Sequence, residues 1–197
     1  MDANQITGLI LAGGRGSRMG HVDKGLQPFR GAPMVMHVIM RLSPQVGAML
    51  INANQNLSPY EGFGLPVWPD QLTGFEGPLA GLQTGLSHCE TDYLVTAPCD
   101  SPFLPENLVE RLAESLLARD AELAVAVTGE GESRQAHPVF MLMKSSVLPH
   151  LTEYLQGGGR KIDKWYRSLR FVEVHFPDED AFRNINTLDD LRRFETT

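Results

Sequence analysis

Cysteine, net positive charge and long apolar runs are all scarce in this 197-residue chain, and each shortage excludes a class of protein. The two cysteines, Cys89 and Cys99, lack the paired close spacing of zinc ligands and read as reduced packing residues. Lys and Arg number 17 against 24 Asp and Glu, and the formal net charge is -7. The broad basic surface that drives binding to nucleic acid polymers or anionic membranes is therefore missing. A small anionic ligand is not excluded, because a pocket can be locally cationic whatever the distant surface carries. The apolar run Leu9–Ala12 is too short for a membrane span or a signal-peptide core, so a cytoplasmic protein with no membrane partner is expected. No stretch is both low in apolar residues and rich in like charge, and neither an internal repeat nor a linker is visible. With 42% apolar and 21% charged residues the chain should fold alone, as a single domain spanning 1–197.

What is present alternates. The apolar segment 6–12 runs straight into Gly13 and Gly14, as a buried strand entering a loop does. Pro33 to Arg41 predicts an amphipathic helix, with Met34, Met36 and Met40 as core residues, and Ala48 to Asn52 a second strand. Gly77 and Pro78 open a helix carrying Leu79, Leu82 and Leu86, followed by a strand over Tyr93 to Ala97. Pro105 begins another helix, with Leu108, Leu112 and Leu116 inward, and Ala121 to Thr128 returns to β. Beyond the turn at 129–133 the pattern is less regular: a strand His137 to Met143, a helix from about Ser145, the loop Gly157 to Gly159, and a last helix capped at Thr187 to Asp190 with Leu191 and Phe194 inward. Strands alternating with helices predict a three-layer, doubly wound, mostly parallel α/β sheet with helices on both faces, a Rossmann-like architecture. The irregular second half is expected to build a separate floor. Trp68 and Trp165 read as packing aromatics, Trp165 with the alternative of flanking a ring-shaped ligand.

The chemistry concentrates in LAGGRGSRMGHVDKGL, Leu11 to Leu26. Glycines let the backbone turn through positive φ and bring bare N–H groups to anionic oxygens, while Arg18 and Lys24 supply charge. Gly14, Gly16 and Gly20 do not have the G-x-G-x-x-G spacing, and Lys24 precedes Gly25 where a P-loop lysine follows glycine. Dinucleotide-binding and GTPase readings lose their main support. Asp100 lies just past the end of a predicted strand, where open α/β sheets place ligands, and a carboxylate there suits a hard cation; alternatively it is a turn residue before Ser101 and Pro102.

Together with NAN at 52–54, PDQLTGFEGPLAGL from Pro69, APCDSPFLP from Ala97, HPVF at 137–140 and NINTLDDL from Asn184, this loop resembles the molybdenum cofactor guanylyltransferases, within the larger nucleotidyltransferase group. The similarity runs over nearly the whole chain and implies a nucleotide-diphospho-sugar transferase-like fold. It also implies transfer of GMP from GTP to molybdopterin with release of pyrophosphate, with Mg²⁺ required and Mn²⁺ an expected substitute. Carried over by position, it implies that Leu11, Ala12, Gly13 and Gly14 touch the nucleotide and that Asn52 and Asp70 serve the guanine and ribose site. Asp100 would bind GTP through the metal, and Lys24 and Arg18 would neutralise phosphates. The molybdenum-insertion enzyme and molybdoenzyme chaperones are implied as protein partners.

Residues 1–128 are then expected to bind GTP and residues 129–197 the acceptor, through His137, Arg160, Lys161, Asn184 and Asn186. The bland alternatives stay open: a packed His137, solvated Arg160 and Lys161, and asparagines that cap the last helix. Three rival functions also remain. A cytidylyltransferase for the same cofactor usually carries Ala-Ala-Gly where this chain has Ala12, Gly13 and Gly14. A sugar-phosphate nucleotidyltransferase would be expected to be longer. A non-catalytic nucleotide-binding chaperone should lose Lys24 or Asp100.

Overall fold

The computed structural model describes residues 1–13, 23–72, 77–186, 190 and 194. In chain order the elements are β1 (Ile6–Leu11), β2 (Pro28–Phe29), β3 (Ala32–Pro33), α1 (Met34–Leu42), β4 (Ala48–Asn52), α2 (Leu57–Glu61), β5 (Val67–Trp68), α3 (Pro78–Ser87), β6 (Tyr93–Pro98), α4 (Leu108–Ala118), β7 (Leu123–Thr128), β8 (Gln135–Lys144), α5 (Leu148–Gln156), α6 (Ile162–Tyr166) and β9 (Phe171–His175). Seven strands form one sheet in the order β5-β4-β1-β6-β8-β7-β9, and β2 pairs with β3 in a small hairpin. All neighbours in the large sheet run parallel except at β8, which is antiparallel to both β6 and β7.

Alternation along the strands builds a core on each face. Ile6 and Ile10 of β1 and Ala124 and Ala126 of β7 meet Val35, Val38 and Leu42 of α1, Tyr60 of α2, and Leu108, Leu112 and Leu116 of α4. Leu9 and Val125 point the other way, to Leu79, Leu82 and Leu86 of α3, Leu151 and Leu155 of α5, and Trp165 and Tyr166 of α6. This is the three-layer, doubly wound sheet that the alternation predicts.

Several local expectations change. The buried face of α1 is Met34, Val35, Val38 and Leu42, whereas Met36 is half-buried and Met40 is 64% exposed. Met36 and Met40, four residues apart, share a face, whereas Met34, two residues before Met36, lies on the opposite side of a 3.6-residue turn, so the three cannot share one buried stripe. Pro105 to Asn107 form a turn, with Leu108 N donating to Pro105 O, and α4 starts at Leu108. The second half does not build a separate floor: β8 inserts between β6 and β7, and β9 extends the same sheet beyond β7. The register between β7 and β8 shifts after Val125, across the segment holding Pro138, which has no N–H to give a ladder. Thr96 bridges there, its hydroxyl donating to Val139 O and accepting from Met141 N. The predicted cap at Thr187 and the inward Leu191 lie outside the described residues.

Candidate active site

The carboxyl ends of β1, β4 and β6 are level, because Ala12 N donates to Asn52 O at 2.8 Å and Cys99 N donates to Leu11 O at 3.1 Å. Asp100 follows directly and is only 8% exposed. Lys24 comes to it from a turn closed by Gln27 N donating to Lys24 O. The Lys24 ammonium donates to Asp100 Oδ2 at 3.2 Å and to Asn186 Oδ1 at 2.6 Å. The 184–186 segment is stitched to the same corner: Ile185 N donates to Asp100 O at 2.8 Å, and Ser101 Oγ donates to Asn184 Oδ1 at 2.7 Å. Burial pushes the Asp100 carboxyl above its ordinary value, and the Lys24 ammonium pulls it partway back. Among the described residues the corner thus holds the Lys24 cation, the desolvated Asp100 carboxylate and the Asn186 amide oxygen within hydrogen-bonding distance of the cation.

A second cluster sits one strand away. Asn52, at the end of β4 and 2% exposed, donates from Nδ2 to Trp68 O at 3.1 Å and to Asp70 Oδ1 at 2.9 Å. Asn54 completes a two-way link, donating to Asp70 Oδ2 at 2.9 Å and accepting from Asp70 N at 2.8 Å. Asp70 is therefore held bidentate by two amides, with both asparagines fixed by the strand they leave. Gly81 of α3 makes room for this, since a Cβ there would overlap Asn52 Oδ1. At Gly13 a Cβ would stand 3.1 Å from Asn52 Oδ1 and 2.9 Å from Asn54 Nδ2, so the backbone at Gly13 passes close to the cluster.

Leu11, Ala12, Gly13, Asn52 and Asp70 are thus gathered at one sheet edge, and Lys24, Asp100, Asn184 and Asn186 beside them. Arg18 and Gly14 lie outside the described residues. Arg160 and Lys161 line a different hollow of about 750 Å³ with His150, Glu153, Tyr154 and Lys164, and none of its lining residues belongs to the Lys24 and Asp100 group. Arg160 Nη1 donates to the carbonyls of Leu155 and Gly159. His137 stacks on Phe182 at 4.7 Å and shares a 2.8 Å hydrogen bond with Thr128 Oγ1; burial lowers its pKa. Trp165 is fully buried with its indole donating to His150 Nδ1 at 3.1 Å, which leaves no face for a ligand, while Trp68 is 39% exposed and stacked on His88. Asn54, Ser101, Asp23 and Tyr60 escaped sequence reasoning. The first three stand inside or beside quoted motifs, but the contacts that give them purpose are long-range, and no local spacing marks Tyr60.

Residues 8–171 match the MobA-like NTP transferase domain family. A molybdenum cofactor guanylyltransferase of Cupriavidus metallidurans is 60% identical over 194 residues, covering 98% of this chain and 96% of the relative. The chain belongs to the molybdenum cofactor guanylyltransferase family. Its relative of the same name in Bordetella petrii is 56% identical over 98% of each chain. The crystal structure of a molybdopterin-guanine dinucleotide biosynthesis protein A from Archaeoglobus fulgidus shares the fold, with a TM-score of 0.75 at 23% identity over 96% of this chain and 97% of that one. As a member of the guanylyltransferase family this chain is a nucleotidyltransferase enzyme, and Leu11 to Gly13, Lys24 and Asp100 lie together at the carboxyl edge of its sheet. Among the described residues no helix is long and apolar enough to cross a membrane.

Proposed function

We propose that this enzyme transfers GMP from GTP to the terminal phosphate of molybdopterin, releasing pyrophosphate and forming the guanine dinucleotide cofactor. The observation that carries the reading is the meeting of Lys24, Asp100 and Asn186 at the carboxyl edge of β6, in a chain 60% identical to a protein named for guanylyl transfer. The acceptor phosphate attacks the α-phosphorus in line. Such a transfer needs alignment and charge compensation more than a protein nucleophile, and no serine or cysteine is asked to attack. Lys24 exchanges Asp100 and Asn186 for phosphate oxygens and follows the charge that builds on departing pyrophosphate. The loop backbone from Leu11 to Gly13 lies along the triphosphate, and Asn52 with Asp70 faces the nucleoside.

The donor set fits Mg²⁺, with Mn²⁺ as a substitute. Magnesium is ordinarily held by one or two carboxylates plus phosphate oxygens and waters, and no group of three His, Cys, Asp or Glu side chains able to hold an ion is present among the described residues. Asp100 would hold the ion, which supplies Lewis-acid charge at the reacting phosphates. The free thiols of Cys89 and Cys99 agree with action in a reducing cytoplasm.

Competition among GTP, CTP, ATP and UTP tests the reading, with molybdopterin and Mg²⁺ present and pyrophosphate release as the readout. GTP is expected to support release in proportion to nucleotidylated product. Equal use of CTP would favour the cytidylyltransferase reading, and GTP binding without release would reduce the protein to a nucleotide-binding chaperone.

A further inference from the structure

Asp23 is a buried carboxylate next to a site for a triphosphate, where a negative charge repels the substrate, and the transfer chemistry gives it no task. Its partners give it one. Asp23, 9% exposed, accepts from the Tyr60 phenol at 2.5 Å and from Asn56 Nδ2 at 3.0 Å, and its carbonyl accepts from Gln27 Nε2 at 3.1 Å. Tyr60 is fully buried in α2, and burial beside Cys99 and Asp23 pushes its phenol far above the ordinary value, so it remains a donor. Asn56 sits just before α2 with φ +53, a left-handed backbone that asparagine tolerates better than most residues. Gly25 closes the assembly: a Cβ there would stand 2.5 Å from Tyr60 Oη and 3.1 Å from Cys99 Cβ, so the chain after Lys24 is pressed between α2 and the end of β6. Neighbouring side chains thus part company, Asp23 to α2 and Lys24 to Asp100 and Asn186.

We propose that Asp23, Tyr60 and Asn56 form a latch that positions Lys24, fixing the backbone on one side so that the ammonium is delivered to the reacting phosphates on the other. Tyr60 and Asn56 are positioning residues; neither touches substrate. This rests on the reading that Lys24 acts on the phosphates, and the test separates the two.

Turnover is measured on Tyr60→Phe, Lys24→Ala and the double variant, with Asn56→Gly, which keeps the left-handed backbone and removes one donor, as a second probe of the latch. A loosened lysine should cost alignment rather than binding, so Tyr60→Phe is expected to lower kcat by about tenfold with KM for GTP changed by less than about twofold. Asn56→Gly should lower kcat in the same direction by a smaller factor. In the Lys24→Ala background Tyr60→Phe should cost nothing more, because the side chain it positions is gone. A general loss of folding would instead reduce activity by the same factor in both backgrounds, and that result overturns the latch. Wild-type kcat in Tyr60→Phe and Asn56→Gly beside a crippled Lys24→Ala also overturns it while leaving the role of Lys24 intact. Wild-type kcat in Lys24→Ala overturns the reading on which the latch depends. Should Tyr60→Phe fail to fold, Asn56→Gly in the two backgrounds decides alone.

Discussion

Asp100 carries two opposed demands. The proposed transfer needs its charge, yet the folded protein raises its pKa above the ordinary 3.8, with burial outweighing the Lys24 ammonium. A raised folded value means that the native state binds the proton more tightly than the unfolded chain. The stabilising contribution is therefore complete below the unfolded value and is lost as pH rises through the folded one. At neutral pH the ionised group opposes folding. Asp100→Asn keeps the shape without the charge, so it should melt at a higher temperature than the wild type near pH 7, with the difference shrinking as the pH falls towards 3.8. Turnover should fall by about 100-fold or more, since an amide offers a hard cation no net charge. Scanning calorimetry at several pH values, alongside pyrophosphate release, checks both halves; a variant that loses activity and melts lower at neutral pH would show that Asp100 stabilises the fold as an ion. Lys24→Met should move the Asp100 carboxyl further up, because the ammonium is what holds it down, and a carbon-detected titration of the carboxyl resonance reads that shift directly.

At the scale of one helix, α3 does two jobs with two glycines a turn apart. Gly85 lets the helix settle on Leu9, and Gly81 lets it settle on Asn52 and Leu11. An added methyl at either position overlaps a side chain and should cost about 1 to 3 kcal/mol in urea denaturation. Only Gly81→Ala should weaken GTP binding by calorimetry, because Asn52 cannot move aside without releasing Asp70. Equal affinity in the two variants would remove the Asn52 and Asp70 pair from the nucleotide site. The helix itself was legible from sequence, since proline after glycine marks its start and three leucines at steps of three and four mark its face; β1, β4 and β6 were legible as apolar runs ending in turn residues. Short elements were not. The two-residue β5 carries no period, and Trp68 on it is exposed; α2 and α6 have five residues each; and β9, at the sheet edge, buries only Val174 fully. The glycine loop announced Lys24, and a strand end announced Asp100. Their contact spans 76 residues of sequence, and Lys24 to Asn186 spans 162, so no local pattern could have disclosed either.

Across the whole molecule, that last contact changes how the chain is divided. A cut near residue 129 assigns nucleotide to the first half and acceptor to the second, but β8 lies inside the sheet and the 184–186 segment returns to the end of β6. Asn186 accepts from the ammonium proposed to serve the phosphates, whereas Arg160 lines the separate hollow beside α5 and α6. The two residues should therefore behave differently toward Lys24. Changes at sites with no shared partner add within about 0.3 to 0.5 kcal/mol, while members of one network deviate by more. Asn186→Ala combined with Lys24→Ala should cost clearly less in kcat/KM than the sum of the single losses, because removing either partner already frees the other. Arg160→Ala combined with Lys24→Ala should be additive, and by itself should raise KM for molybdopterin while leaving GTP affinity near the wild-type value. Steady-state rates with each substrate varied, and GTP calorimetry on the single variants, give every quantity needed. Additivity for Asn186 would mean that its bond to Lys24 is incidental to catalysis; non-additivity for Arg160 would mean that the hollow beside α5 closes onto the Lys24 corner when both substrates are bound.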